Sequence, residues 1–240
     1  MRRRTLLAGA LLAPRLARAR AAGGEVDLAL VLAADISHSM QQAELILQRQ
    51  GYAMALRDPE VAAAIGSGPA GAIAVLYLEW SSAGDQSVLL PWTRLADAGQ
   101  AAGLAGRLEA APLRTGMQTS ISGAIAMGRR LLAAAPFSPT RRAIDISGDG
   151  ENNHGVPVEQ ERDLAVEEGI TINGLPILRR GQRAALGAEA LLLAHYRDLV
   201  IGGAGAFVLP AEGFEAFAAA IRRKLVLEIS SPAPTGPAPA

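Results

Sequence analysis

The sequence predicts an α/β domain built on a single Rossmann-like open sheet, mostly parallel with one antiparallel edge strand, and with helices on both faces. Three observations carry this. Apolar runs of strand length alternate with amphipathic runs of helix length along nearly the whole chain, the pattern of strands joined by helical crossovers. The runs at residues 26–34 and 72–80 are almost continuously apolar instead of alternating, as expected of strands covered on both faces. Half of the 240 residues are hydrophobic and only 4% are aromatic, so one large core built from Ala, Leu, Ile and Val is within reach of the chain.

The elements follow in order. Residues 26–34, bounded by Gly and Asp, read as the first strand. Residues 40–56 carry Met40, Ala43, Ile46, Leu47 and Met54 at helical spacing. Residues 72–80 form the second strand. A Ser82-Ala83-Gly84-Asp85 turn sends residues 86–92 back as an antiparallel edge strand. Helices are expected at 97–110 and 120–135, and a strand at 142–147 with Asp145 as its odd polar member. Next come a helix at 158–168 ended by Gly169, a strand at 170–178, a helix at 185–199, a short strand at 206–209 and a last amphipathic helix at 214–227. Neither an internal repeat nor a mid-chain linker divides this series, so one domain spans residues 25–229.

The two ends read differently. Arg2, Arg3 and Arg4, a short apolar run and the small residues around Ala17-Arg18-Ala19 and Ala21-Ala22 have the layout of a signal peptide over residues 1–22. The Arg3-Arg4-Thr5-Leu6-Leu7 stretch also resembles a twin-arginine signal, so Sec and twin-arginine export stay open. The apolar run is too short to span a bilayer, and no later segment reaches that length. Periplasmic or secreted localisation is the expectation. Residues 230–240 are rich in Pro and Ala and are expected to form a disordered tail.

Charge and composition exclude several function classes. Six of the 23 basic residues and none of the 23 acidic ones lie in the signal, leaving 17 basic against 23 acidic residues; nucleic-acid binding needs the opposite balance. The absence of Cys removes thiol catalysis, thiolate zinc sites and disulfides. Lys224 is the only lysine, which disfavours Schiff-base chemistry.

In an open α/β sheet, ligands bind outside the carboxyl ends of the strands. After the first strand, Asp35, Ser37 and Ser39 alternate, a spacing that points three oxygen-bearing side chains the same way in an extended loop; Ser39 could alternatively cap the next helix. Gly116-Met117-Gln118-Thr119-Ser120 precedes a helix, with Thr119 or Ser120 available as its N-cap. Asp149 lies between Gly148 and Gly150 at a strand end, followed by Glu151, Asn152 and Asn153. The bland readings are turns and caps; the three in this order on an alternating chain say more.

Asp-x-Ser-x-Ser, a Thr before a helix and a strand ending in Asp-Gly together resemble the von Willebrand factor type A family and its metal-ion-dependent adhesion site. The resemblance covers nearly all of the chain after the signal. It implies that Ser37, Ser39 and Thr119 supply hydroxyl oxygens to a divalent metal. Asp35 and Asp149 would act directly or through water, and a protein partner would offer an acidic residue to the metal. The all-oxygen set suits Mg²⁺, with Mn²⁺ or Ca²⁺ as options. Stretches such as Tyr77-Leu78-Glu79-Trp80-Ser81 and Gly169-Ile170-Thr171-Ile172-Asn173-Gly174 look like an exported bacterial branch of unknown function. One departure is Gly148, which intervenes between Ser147 and Asp149 where relatives run straight into Asp-Gly. Asp145 is the rival carboxylate, but its place inside a strand suits burial.

Other readings rank lower. The Gly66–Gly71 stretch spells G-x-G-x-x-G, yet it follows a helix and precedes a strand, the reverse of a dinucleotide fingerprint. His38 and His154 with the two Asp would make a zinc site; a surface-loop His is the plainer reading. A Ser/His/Asp triad from Ser37 or Ser147, His154 and Asp149 has no nucleophile elbow behind it. Trp80 either lines a partner surface or covers the sheet. The expected function is therefore non-enzymatic, metal-dependent protein binding, with a metal-dependent phosphoesterase-like hydrolase as the alternative.

Overall fold

The computed structural model describes residues 23–179 and 187–232. The expected signal peptide, the start of the expected helix at 185–199 and most of the expected tail lie outside the described residues. Five strands, β1 (Glu25–Asp35), β2 (Ile73–Trp80), β3 (Gln86–Leu95), β4 (Ser138–Gly148) and β5 (Thr171–Pro176), form one sheet in the order β3-β2-β1-β4-β5. All neighbours are parallel except β2 and β3. Pro91 lies exposed in β3, at the sheet edge where a residue without an N–H is tolerated.

The helices are α1 (Gln42–Arg57), α2 (Pro59–Ser67), α3 (Ala98–Ala110), α4 (Ile121–Ala133), α5 (Val158–Glu167), α6 (Ala188–His195) and α7 (Phe217–Ser230). A π-helical turn, Tyr196–Val200, continues α6. Among the described residues no helix is long and apolar enough to cross a membrane. The pleat of β1 divides the core. Leu28, Leu30 and Leu32 face one layer with Tyr52 of α1, Leu104 of α3 and Phe217 of α7. Ala29, Val31 and Ala33 face the other, with Ile125 of α4, Ala165 of α5 and Tyr196. Burial of each large apolar side chain contributes about 1.5–3 kcal/mol, so the two layers fix which ends of the strands lie together.

Four expectations need correction. The helix α2 was not anticipated, although Asp58 caps it by accepting from the Glu60 N–H at 2.8 Å and Pro59 starts it, a recognisable start signal. The expected strand at 206–209 is only a set of isolated contacts beside β5, Gly174 with Val208 and Ile177 with Ala211, between Gly205 in a left-handed conformation and Pro210. The last helix runs to Ser230, one residue into the expected tail. Ser39 does not cap α1; Gln41 is the cap residue, and its N–H donates to Glu44 Oε2 at 2.7 Å. By contrast Ser120 does cap α4, accepting from the Gly123 N–H.

Candidate metal centre

Asp35 ends β1 and is fully buried. Its backbone carbonyl accepts from Gln48 Nε2 at 3.0 Å, which ties the strand end to α1. Its Oδ1 accepts from the Ser37 N–H at 2.7 Å, a local turn of the kind Asp favours. Its Oδ2 is buried and has no hydrogen-bond partner within the protein. Burial first, and then the charge of Asp149, push the Asp35 carboxyl up to about 7, against the pull of donors from Ser37 and Asp149. A carboxylate in this state lacks a counter-charge.

The next two expected residues converge with it. Ser37 is buried, and its Oγ lies 3.1 Å from Ser39 Oγ. Ser39 Oγ in turn donates to Asp149 Oδ1 at 2.6 Å. The alternating spacing thus puts the two hydroxyls side by side, and β4 delivers Asp149 to them. Thr119 is buried next to this corner; a Cβ at Gly150 would lie 3.3 Å from Thr119 Oγ1. Its backbone is held on both sides, the N–H donating to Asn153 Oδ1 at 2.9 Å and the carbonyl accepting from Asn153 N–H at 2.9 Å and His154 N–H at 3.2 Å. Asn152 Oδ1 accepts from the Ser122 N–H at 3.0 Å. The two Asn side chains therefore staple the Asp149 loop to the start of α4, not to the helix that follows them.

Gly148 has a steric reason. A Cβ there would stand 2.9 Å from Asp35 Oδ2 and 3.1 Å from Tyr196 Oη. The inserted glycine makes room for both. Asp145, the rival carboxylate, is fully buried and ion-paired to Lys224 Nζ at 2.5 Å. Lys224 also pairs with Glu228 at 3.1 Å, inside the domain and away from the rim.

One clamp was not legible from the sequence. Arg179, just past β5, donates from Nε to Asp149 Oδ2 at 2.6 Å and from Nη1 and Nη2 to the Glu44 carboxylate at 2.8 and 2.9 Å. Its Nη2 also donates to the Ser39 carbonyl at 2.6 Å, and its guanidinium lies over the Phe214 ring at 5.5 Å. Burial opposes the Arg179 charge, but Asp149 and Glu44 outweigh it and hold the group above its ordinary value. The Asp149 side chain is fully enclosed, with Ser39 on one oxygen and Arg179 on the other.

The histidines take other work. His154 Nδ1 accepts from the Ala83 N–H at 3.0 Å, and His195 Nε2 accepts from the Asn152 N–H at 3.1 Å. His38 is exposed. Among the described residues no three His, Asp or Glu side chains gather as a metal-holding cluster, so the zinc reading through His38 and His154 has no geometry behind it. Trp80 is fully buried, which excludes it from a partner surface. The structure thus joins Asp35, Ser37, Ser39 and Asp149 in one hydrogen-bonded corner, with Thr119 beside it across Gly150.

Comparison with known proteins agrees with this architecture. A family model described as protein of unknown function (DUF1194) matches residues 25–233. No curated protein matches the chain. Among solved structures, a von Willebrand factor type A protein from Catenulispora acidiphila is similar at 14% identity and a TM-score of 0.59, covering 85% of this chain and 43% of that one. The open form of the pilus adhesin SpaC from Lactobacillus rhamnosus GG is similar at 15% identity and a TM-score of 0.61, covering 85% and 30%. Proximal thread matrix protein 1 from the mussel byssus, with a zinc-occupied MIDAS motif, is similar at 15% identity and a TM-score of 0.55, covering 85% and 46%. At such identities the likeness is one of fold, and the fold is that of von Willebrand factor type A domains. The chain spans less than half the length of each of these proteins.

Proposed function

The chain belongs to the DUF1194 family of unknown function, and from its von Willebrand factor type A fold and its rim chemistry we propose that it is an exported, divalent-metal-dependent protein-binding domain. Asp35, Ser37, Ser39, Thr119 and Asp149 hold the metal. One observation carries the reading: a buried carboxylate oxygen, Asp35 Oδ2, without a protein partner, beside two adjoining serine hydroxyls and a second carboxylate. An unpaired buried carboxylate is costly, and a cation offsets that cost. Five neutral or anionic oxygens with no nitrogen or sulfur match a hard ion, Mg²⁺ foremost. A zinc-occupied MIDAS motif in a protein of the same fold supports a divalent ion at this position.

When bound, the ion would supply a Lewis-acidic position facing the rim. This chain's residues would do the remaining work. Ser37 and Ser39 offer lone pairs while the Ser39 proton goes to Asp149 Oδ1 across the rim and the Ser37 proton faces Ser39 Oγ. Asp149 is held immobile by Ser39 and Arg179, and Thr119 by Asn153. Two aspartates would balance a doubly charged ion and Glu44 balances Arg179, so an open position on the ion, not surplus charge, would take an acidic group from a protein partner. Pilus-adhesin relatives of the fold support binding over catalysis, and the N-terminal signal supports a periplasmic or secreted site of action.

Isothermal titration of the purified chain with Mg²⁺ and Mn²⁺, repeated on Asp35→Ala, tests the metal. Saturable heat is expected in the wild type and none in the variant; equal heats in both would end the proposal. Capture from a periplasmic extract with and without chelator then tests the partner, whose retention should require the metal.

A further inference from the structure

Tyr196 is the first residue of the π-helical turn, and such turns gather at functional sites. The Ile201 N–H donates to the Tyr196 carbonyl at 3.0 Å, five residues apart, which defines the turn. Its ring is fully buried. Two glycines admit it: a Cβ at Gly174 of β5 would stand 2.7 Å from Tyr196 Cδ1, and one at Gly148 would stand 3.1 Å from Tyr196 Oη. The turn and both glycines thus bring a phenol hydroxyl under the end of β4. Tyr196 Oη has no hydrogen-bond partner within the protein. The same point at Gly148 lies 2.9 Å from Asp35 Oδ2, the other buried oxygen without a partner.

We infer that Tyr196 is a positioning residue of the metal centre: its hydroxyl donates to Asp35 Oδ2 through one water seated by Gly148, and so fixes the direction in which that oxygen points. The inference rests on the metal-binding reading above. The physical argument is one of valence. Asp35 Oδ1 is already served by the Ser37 N–H. Oδ2 would offer one lone pair to the cation and has no partner for the other, and Tyr196 Oη shares its space at Gly148. A water between two such groups has the polar partners it needs. This also accounts for the glycine inserted before Asp149: an alanine there would fill the space that the carboxylate and the phenol share.

Tyr196→Phe keeps the ring and removes only the hydroxyl. The metal separates a merely structural hydroxyl from a positioning one. In chelator the variant should melt somewhat below the wild type, because the bond to Asp35 is lost, and in saturating metal it should fall further behind. Its affinity for Mg²⁺ and Mn²⁺, titrated on the full chain, should fall roughly 10- to 100-fold, the usual cost of losing an outer-shell partner. Gly148→Ala, which crowds the same space, should weaken both ions as well. If Tyr196→Phe binds both ions like the wild type, the inference fails and the metal reading stands. If the wild type itself binds neither ion, the metal reading fails and takes this inference with it. A variant that loses the same stability with and without metal, or does not fold, also overturns the inference, since the hydroxyl would then be a structural bond alone.

Discussion

Arg179→Ala tests whether Arg179 and the proposed metal share the neutralisation of Asp149. In the metal-free chain Arg179 is the counter-charge of Asp149, whose side chain is fully enclosed, and of Glu44, which is 17% exposed. Removing one partner of a buried pair costs about 3–5 kcal/mol. Arg179 is 21% exposed and Glu44 can recover water, so a loss of about 2–4 kcal/mol is expected in chelator, measured by urea unfolding followed by circular dichroism. In saturating Mg²⁺ the ion takes over part of the neutralisation of Asp149, and the loss should shrink by about 1–2 kcal/mol. By linkage the variant must then bind Mg²⁺ about tenfold more tightly, since about 1.4 kcal/mol is a factor of ten. Calorimetry checks this independently of the unfolding curves. An identical loss with and without metal, or weaker Mg²⁺ binding in the variant, would refute the reasoning and make Arg179 a simple structural brace.

Further outcomes follow from the same geometry. The Asp35 carboxyl rises from 3.8 unfolded to about 7 folded, so between those values the folded chain holds the extra proton. Metal-free stability from this group is therefore full below pH about 4 and is lost as pH rises toward 7, by about 4 kcal/mol in all; Asp35→Asn should flatten that slope in thermal melts taken across the range. Metal competes with the same proton, so Mn²⁺ affinity should fall roughly tenfold per unit below pH about 7, read by calorimetry. Ser37→Ala with Ser39→Ala should abolish Mg²⁺ heats while leaving the far-ultraviolet circular dichroism spectrum unchanged. Lys224→Met strands Asp145 and Glu228 in the core and should cost about 3–5 kcal/mol in urea unfolding, without changing Mg²⁺ affinity. Asn153→Ala removes the acceptor of the buried Thr119 N–H and should cost about 1–3 kcal/mol, with weaker Mg²⁺ binding.

Much of the site was legible because its signals are local. Asp35, Ser37 and Ser39 fall within five residues, and the turn that aligns them is closed by a bond between neighbours, Ser37 N–H to Asp35. Continuous apolar strands announced the parallel sheet, and the sheet dictates that loops after β1 and β4 share one rim. Elements whose start or end depends on tertiary contact were read less well. The helix α2 follows α1 after a single residue, Asp58, and at nine residues it is too short for apolar spacing to announce it. The run at 206–209 has strand composition, but the flanking Gly205 and Pro210 leave it only isolated contacts with β5.

The sequence by itself determined the fold class and the order of the loops at the rim, and it nominated the five proposed oxygen donors, because apolar period and side-chain alternation are properties of short windows. Tertiary structure alone decided what surrounds those donors. Arg179 meets Glu44 across 135 residues and Ser39 across 140. Ser39 meets Asp149 across 110. Tyr196 Oη and Asp35 Oδ2 border the same space only because Gly148 and Gly174 carry no side chain on two different strands. No local pattern encodes such pairings. They arise when crossover helices pack against the sheet and bring distant loops to a common end, and there the charge on Arg179 and the hydroxyl on Tyr196 acquire their bearing on the metal.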